Sequence, residues 1–392
     1  MVGYYPRLLK LLKEVDIAVR PEDLTFAFSR DTTSRRIPYL LYNGLSGFQG
    51  LSVPSTKSYS KAFFEILYHS LCFIYLCIIS LLHYHLHLFP RIKEITFEEF
   101  CQRYYIPGVF VREVLVPLYS AVCTCKERDV LKYPAGLIVG MDRKMDCWLM
   151  VDYIAAVFGT RHYTIASPQG FRAVVNALIS PIPSSNIHTS TSISRISGTS
   201  CNYTLHSGTK TFGPFKHIIL ATPAPISSSI LSTTSTVPKS LHTALSKFKY
   251  IPTLVITHTD PSFIPSQPSL QRDLHFQRPI PPVPSLRKLS QYTQATHILH
   301  YRSPHLKSTE VYQTTNPHRF PKKGTLLSQT WFERYLPSLE SLRVRREVFE
   351  GPAQGAGNMW FVGSWVAEGV PLLEGCVVSA EKVVEKLLAS EV

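Results

Sequence analysis

Apolar positions change period several times along the chain, and each change marks an element. Between Tyr4 and Val15, Leu8, Leu9, Leu11, Leu12 and Val15 share one face at helical spacing, which predicts an amphipathic helix. Residues 24–30 and 38–41 read as strands, and Gly44, Gly47 and Gly50 then punctuate a loop. From Ile66 to Phe89 there is no Asp, Glu, Lys or Arg. About two dozen such residues suffice to cross a bilayer as a helix. Glu65 at the head of the run, His69, His83, His85 and His87 within it, and Pro90-Arg91 at its end count against spanning. Two readings stay open: a buried helix, and a membrane helix or monotopic anchor over 63–89.

Thr96-x-x-Glu99 has the form of a capping box and predicts a helix start. Phe110 to Val122 reads as a second helix with Pro117 inside it as a kink or break, and Cys147 to Phe158 as a third. From residue 163 the pattern turns to strands. Tyr163–Ala166, Ile187–Ile196 and Phe215–Pro223 read as strands, with a helix over Phe171–Ile179. The Ser/Thr/Pro-rich 224–238 and the Pro/Gln/Ser-rich 260–296 read as irregular. Ile251–Thr259 is a strand, and Thr296–Arg302 and Thr309–Thr314 read as a pair. Near the end, Met359–Val362 is a buried strand. A Gly363-Ser364 turn follows it, and Leu373-Glu374-Gly375-Cys376 opens a final helix. A strand, a glycine turn and a helix start form a place where backbone groups can approach a ligand.

The 392 residues, 45% hydrophobic, suffice for two or more domains. The net charge of +14 comes from dispersed Lys and Arg, without the stripe or motif that nucleic-acid binding needs, so no nucleic-acid partner is expected. Eight cysteines without a CxxC pair fit buried thiols in a reducing compartment. The first ten residues are too polar for a signal peptide, so an intracellular protein is expected, cytoplasmic or membrane-associated. His83, His85 and His87 have no carboxylate or Cys partner nearby, and no metal site is expected. His258-Thr-Asp260 places an acid–base pair on one strand face, but no nucleophile accompanies it and a polar strand end is the simpler reading.

Four islands together resemble the flavin-dependent amine oxidases and their phytoene-desaturase-like relatives. These are Tyr163 to Leu178, Ile187 to Ile196, His217-Ile-Ile-Leu-Ala-Thr-Pro223, and Phe361-Val-Gly-Ser-Trp to Cys376. The last looks most like a branch known only as predicted NAD/FAD-binding proteins. The resemblance implies an α/β fold: a discontinuous Rossmann-like FAD-binding domain with a mixed sheet-and-helix substrate domain. FAD is the implied cofactor. The implied contacts are Ile193 on the adenine side, the Ala221-Thr222-Pro223 corner, Gly363, Ser364 and Trp365 at the turn, and Leu373, Glu374, Gly375 and Cys376 at the helix start. Cys376 is read as a small buried thiol rather than a covalent flavin link or a redox thiol.

Two departures stand out. The family's strand, Gly-x-Gly-x-x-Gly and helix are not found in the chain, so the FAD domain is expected to be incomplete. Ser364 stands where amine oxidases often carry an acid, and it can hydrogen-bond only without charge assistance. The implied layout is a remnant of the FAD domain with the start of the substrate domain over 1–60 and a helical segment over 61–160. An FAD-binding portion over 161–240, a substrate-domain sheet over 241–335 and a C-terminal FAD-binding segment over 336–392 follow. The implied activity is FAD-dependent oxidation, with hydride transfer from a small or lipophilic substrate and no evident catalytic base. The alternatives are a truncated, non-catalytic remnant of the fold and a protein attached to a membrane through 63–89.

Overall fold

The computed structural model describes residues 5–30, 37–44, 50–54, 58–86, 94–139, 162–165, 169–232, 234, 237–279, 291–303, 306 and 309–391. The predicted helix over Cys147–Phe158 lies outside them, as do the side chains of His83, His85 and His87. In chain order the strands are β1 (Val19–Glu22), β2 (Phe26–Arg30), β3 (Leu40–Tyr42), β4 (Leu51–Ser52), β5 (His162–Ile165), β6 (Arg195–Thr199), β7 (Asn202–Ser207) and β8 (Lys210–Phe215). They continue with β9 (Ile218–Leu220), β10 (Lys249–His258), β11 (Leu274–Arg278), β12 (Gln294–Ile298), β13 (Tyr312–Thr315), β14 (Leu326–Leu336) and β15 (Met359–Phe361).

Eight of these strands form one mixed sheet in the order β14-β10-β13-β12-β11-β2-β3-β4. Only the β11–β2 pair is parallel. Its inner face meets the helical segment in the largest core, where Phe28 and Phe276 pack with Leu76, Phe100, Phe110 and Leu118. A second core gathers β7, β9, β15 and the helices Ala224–Leu231 and Lys239–Leu245 around Tyr203, Leu220, Phe248, Phe349, Phe361 and Trp365. β10 and β14 run between the two cores: Ile251 and Leu336 pack on the first, Tyr250 and Tyr335 on the second. The fold is therefore mixed α/β, with a large sheet-and-helix body beside a smaller one built on the parallel β9–β15 pair and the antiparallel β6-β7-β8 sheet.

Local chemistry accounts for several elements. Thr96 and Glu99 make the predicted capping box, the Thr96 hydroxyl accepting from Glu99 N and the Glu99 carboxylate from Thr96 N. Pro117 does not break the apolar helix. A wider π turn over Val111–Leu115 precedes the α-helix Val116–Val122, which carries Pro117 in its first turn. Pro117 cannot donate to the carbonyl of Glu113, and the Tyr39 hydroxyl donates to that oxygen instead.

Some expectations are corrected. The strand expected over Ile187–Ile196 begins at Arg195, and 187–194 holds a turn and extended chain. The Ser-rich 224–238 is not a loop throughout. Pro225 in the first turn and the buried Ala224, Ile230 and Leu231 make it helical over Ala224–Leu231. Within 260–296, β11 and β12 are regular strands inside the large sheet. The apolar run forms one helix, Tyr59–Leu86.

Candidate active site

β9 and β15 are parallel, in the register Ile218 with Met359, Ile219 with Trp360 and Leu220 with Phe361. Both are mostly buried apolar strands. The ladder closes with Val362 N donating to Leu220 O at 3.1 Å. Both chains therefore leave the pair at the same edge, Ala221-Thr222-Pro223 from one strand and Gly363-Ser364-Trp365 from the other. In parallel α/β folds the carboxyl ends of the strands are where ligands bind. Here they open onto a cavity of about 220 Å³, which all six residues line together with Cys376.

The turn is held from behind. Trp365 is 3% exposed, and its ring packs edge-on against Phe248 and Phe349, with centroids 4.7 and 5.1 Å away. Its indole N–H donates to Thr222 O at 3.1 Å, tying the turn to the corner. Gly363 has φ +132°, a backbone state that L side chains rarely adopt. Its N–H donates to the Ser379 hydroxyl at 2.9 Å, and Ser379 in turn donates to Cys376 O at 2.9 Å. Ser379, nearly two turns into the C-terminal helix Leu373–Glu391, is a member of the site that motif reading missed. Gly375 is a close-approach glycine: a Cβ there would lie 3.2 Å from Ala367 Cβ and 3.3 Å from Ser364 Cα. Cys376 faces the cavity. It is exposed there rather than buried as expected, and partial desolvation raises its thiol pKa, offset in part by hydrogen bonds from Ser364.

The opposite wall comes from the large body. Tyr250 of β10, Glu333, Arg334 and Tyr335 of β14, and Val122-Cys123-Thr124 after the Pro117 helix all line the cavity. Tyr250 is held above the usual phenol range by burial, and its oxygen accepts from Ala224 N at 3.3 Å. Burial likewise pushes Tyr335 and the Cys123 thiol up to about 12. These three groups stay protonated at neutral pH, so this wall offers neutral hydrogen-bonding groups and aromatic faces. Glu333 and Arg334 add one charge of each sign.

Four of the residues singled out from sequence sit elsewhere. Ile193 packs on the edge of the second core, in the extended chain before β6. Leu373 is exposed beside the cavity residues, not among them. Gly375 lies behind the turn, as described. Glu374 is 2% exposed, and its carboxylate accepts from Arg7 N and Leu8 N, both at 2.9 Å. It therefore caps the first helix, Pro6–Glu14, across the chain termini. His258 and Asp260 are structural as well. His258 Nδ1 accepts from Asp260 N, while Asp260 accepts from Ser262 N, the Ser262 hydroxyl and Lys322 N. Among the described residues, no group of three His, Cys, Asp or Glu side chains is placed to hold a metal.

The arrangement fits the ring end of a flavin. Two glycines let the turn and helix start close on each other, hydroxyl and thiol groups line one side, and tyrosine rings line the other. The volume is below the roughly 300–1,000 Å³ of pockets that take a whole drug-sized ligand, so it suits part of a dinucleotide rather than all of it.

The sequence matches the model of the family described as flavin containing amine oxidoreductase over residues 1–388. No curated protein matches it. Among solved structures, a fatty acid isomerase producing CLA from P. acnes is similar at TM-score 0.59 and 11% identity, covering 98% of this chain and 85% of that one. Cyclohexylamine oxidase from Brevibacterium oxydans is similar at TM-score 0.54 and 11% identity, covering 97% and 85%. A reduced UDP-galactopyranose mutase is similar at TM-score 0.58 and 12% identity, covering 99% and 82%. Identities this low establish the shared fold.

Proposed function

The chain belongs to the flavin-containing amine oxidoreductase family, and from that premise we propose that it is an FAD-dependent oxidoreductase acting on a small or lipophilic organic substrate. The observation that carries the proposal is the single cavity shared by the Ala221-Thr222-Pro223 corner and the Gly363-Ser364-Trp365 turn. Neither segment alone is specific; their parallel register makes them one surface. A bound flavin supplies the hydride acceptor. The corner and the turn would hold its ring, and the rigid core behind Trp365 would keep them in place. Tyr250 and Tyr335 would orient substrate with aromatic faces and neutral hydroxyls, and the surrounding walls would restrict water. Oxidation by hydride removal asks the protein for position more than for a base, and the protonated tyrosines and thiol agree with that. The named relatives span isomerisation and amine oxidation, so the fold leaves the substrate open. Purified protein should be yellow, with flavin absorbance, and should bleach anaerobically with a turned-over substrate from an amine and lipid panel. A well-folded protein that stays colourless when supplied with FAD would leave the reading of a non-catalytic remnant.

A second reading concerns attachment. We infer that the helix Tyr59–Leu86 lies in the plane of an anionic bilayer surface. The stretch Ser60–Ser80 has mean hydropathy 1.9 and is only 33% buried. Phe63, Phe64, Leu71, Ile74, Ile78 and Leu82 are exposed along it. The other face is not free, because Cys72, Leu76, Cys77 and Ile79 belong to the largest core. Spanning would strip that core, whereas lying at the interface keeps it. The net charge of +14, with exposed Lys61 at the head of the helix, complements anionic headgroups. Co-sedimentation with phosphatidylglycerol-containing vesicles should be strong at low salt and lost in Leu71→Glu/Ile78→Glu. Equal sedimentation of both proteins, or a dimer with no vesicle binding, would overturn it.

A further inference from the structure

A second cavity, of about 730 Å³, lies in the large body and shares no lining residue with the flavin cavity. Its volume falls within the roughly 300–1,000 Å³ of sites that take one whole organic ligand. Ile106, Val111 and Val116, all members of the largest core, give it an apolar floor. Gly108 keeps it open. This residue is not in the left-handed region, and a Cβ on it would meet nothing within 4 Å. Neither the backbone nor close packing asks for glycine here, and its missing side chain leaves room in the cavity that it lines.

The charged groups of the lining differ in depth. Arg278 is mostly buried; its Nη2 donates to Glu127 at 3.0 Å and its Nη1 lies 3.1 Å from Glu113, while the Thr293 hydroxyl donates to Glu127 at 2.9 Å. These deep groups satisfy one another. Arg112 and Arg128 line the same cavity with side chains 62% and 69% exposed. Each lies 3.8 Å from the carboxylate of its chain neighbour, Glu113 and Asp129, too long for a hydrogen bond. Against these two cations the described lining sets one further acid, Glu98. An apolar cavity with an excess of guanidinium on its exposed side fits a chain with an anionic head. The wall segment also carries the apolar helix Tyr59–Leu86: Tyr75 donates to Tyr104 O at 2.8 Å, and Phe73 packs edge-on against Phe110 with centroids 4.8 Å apart. Tyr105 and Val109 of that segment are exposed, as is the outer face of the helix.

We propose that this second cavity binds one single-chain amphiphile with an anionic head, a long-chain carboxylate, its chain on the apolar floor and its head on Arg112 and Arg128. With no residue in common with the flavin cavity, it is a holding site and not the reacting one. The inference extends the surface-helix reading, since that helix would set the cavity beside a bilayer, the source of such chains. Its test is run in solution on the whole chain, with dansylated undecanoic acid as the fluorescent probe and palmitate as competitor. Palmitate should displace the probe at least about tenfold better than octanoate, because each buried methylene adds to binding. Gly108→Phe fills the cavity and should weaken both probe and palmitate by about tenfold or more, with FAD uptake unchanged. Arg112→Gln/Arg128→Gln should weaken palmitate about tenfold and leave hexadecanol within about twofold of wild type. This pair lies at the surface and keeps the test decisive if the phenylalanine protein is unstable. A wild-type protein that binds no probe, or a folded Gly108→Phe protein that binds palmitate as wild type does, overturns the site. Unchanged palmitate affinity in the double arginine variant overturns the anionic head. Palmitate binding by a protein that ignores vesicles supports the site and overturns only the attachment reading.

Discussion

Glu374 offers the sharpest test of how the C-terminal helix is anchored. Its carboxylate is buried and accepts from two backbone N–H groups at the start of the first helix. Hydrogen bonds to a charged acceptor are worth about 1.5–3 kcal/mol each, which puts the pair at roughly 3–6 kcal/mol. Burial works against this: it raises the carboxyl pKa above its ordinary 4.5, while the two backbone donors pull it back. The net loss expected for Glu374→Ala is about 2–4 kcal/mol, and about half that for Glu374→Gln, which keeps one acceptor oxygen. Urea denaturation followed by circular dichroism measures both. Because the folded pKa is raised, ionising Glu374 costs the folded protein more than the unfolded chain, so the stability linked to its titration is full below about 4.5 and declines as pH rises through the folded value. The glutamine variant lacks that decline, so its deficit against wild type should shrink between pH 4 and 7. FAD affinity of Glu374→Gln should stay within about twofold of wild type, because the carboxylate points away from the cavity. An alanine variant that loses less than about 1 kcal/mol would refute the capping argument.

Three further outcomes follow from the same geometry. Gly363→Ala forces a side chain into φ +132° and against Trp365 Cδ1 at 3.3 Å, so it should destabilise by about 1–3 kcal/mol in the same denaturation assay and weaken FAD binding. His258 is held down to about 4, first by desolvation, so the unfolded chain binds more protons between about 4 and its ordinary 6.5. Asp260 is pushed up by burial, but hydrogen bonds from Ser262 and Lys322 outweigh this and hold it at about 2. Its stabilisation is present above 3.8 and is lost as pH falls through about 2. Melting temperature should therefore fall as pH drops from 6.5 to 4, and less steeply in His258→Gln; equal slopes would contradict the assignment. The raised pKa of the Cys376 thiol should make its alkylation by iodoacetamide at pH 7 slower than that of a free thiol, and bound FAD should slow it further. Mass spectrometry of the Cys376 peptide reads both rates.

Much of the fold could be read from the chain because local chemistry and final context agree there. The helix Phe171–Ile179 and the capping box at Thr96 occur as their patterns indicate. β9 and β15 are short apolar runs, the form taken by strands buried in parallel pairs. β14 was not legible as a strand. Leu326 to Arg334 are exposed throughout, so no alternation marks this edge strand, which is specified by its long pairing with β10. The helix Ala224–Leu231 hides behind three serines, and tertiary burial of Ile230 and Leu231 decides it. At the site, the corner and the turn carried their own signals in glycine, proline and small residues. Ser379 and Tyr250 carried none. Their roles depend on which side chain a neighbouring strand or helix brings to the site, and that is settled by register.

The account stands on one surface made from two distant segments. Its most direct test is a crystal structure of the protein soaked with FAD. The account predicts flavin ring density between Ala221-Thr222-Pro223 and Gly363-Ser364-Trp365. Ring density at any other place on the protein would contradict it.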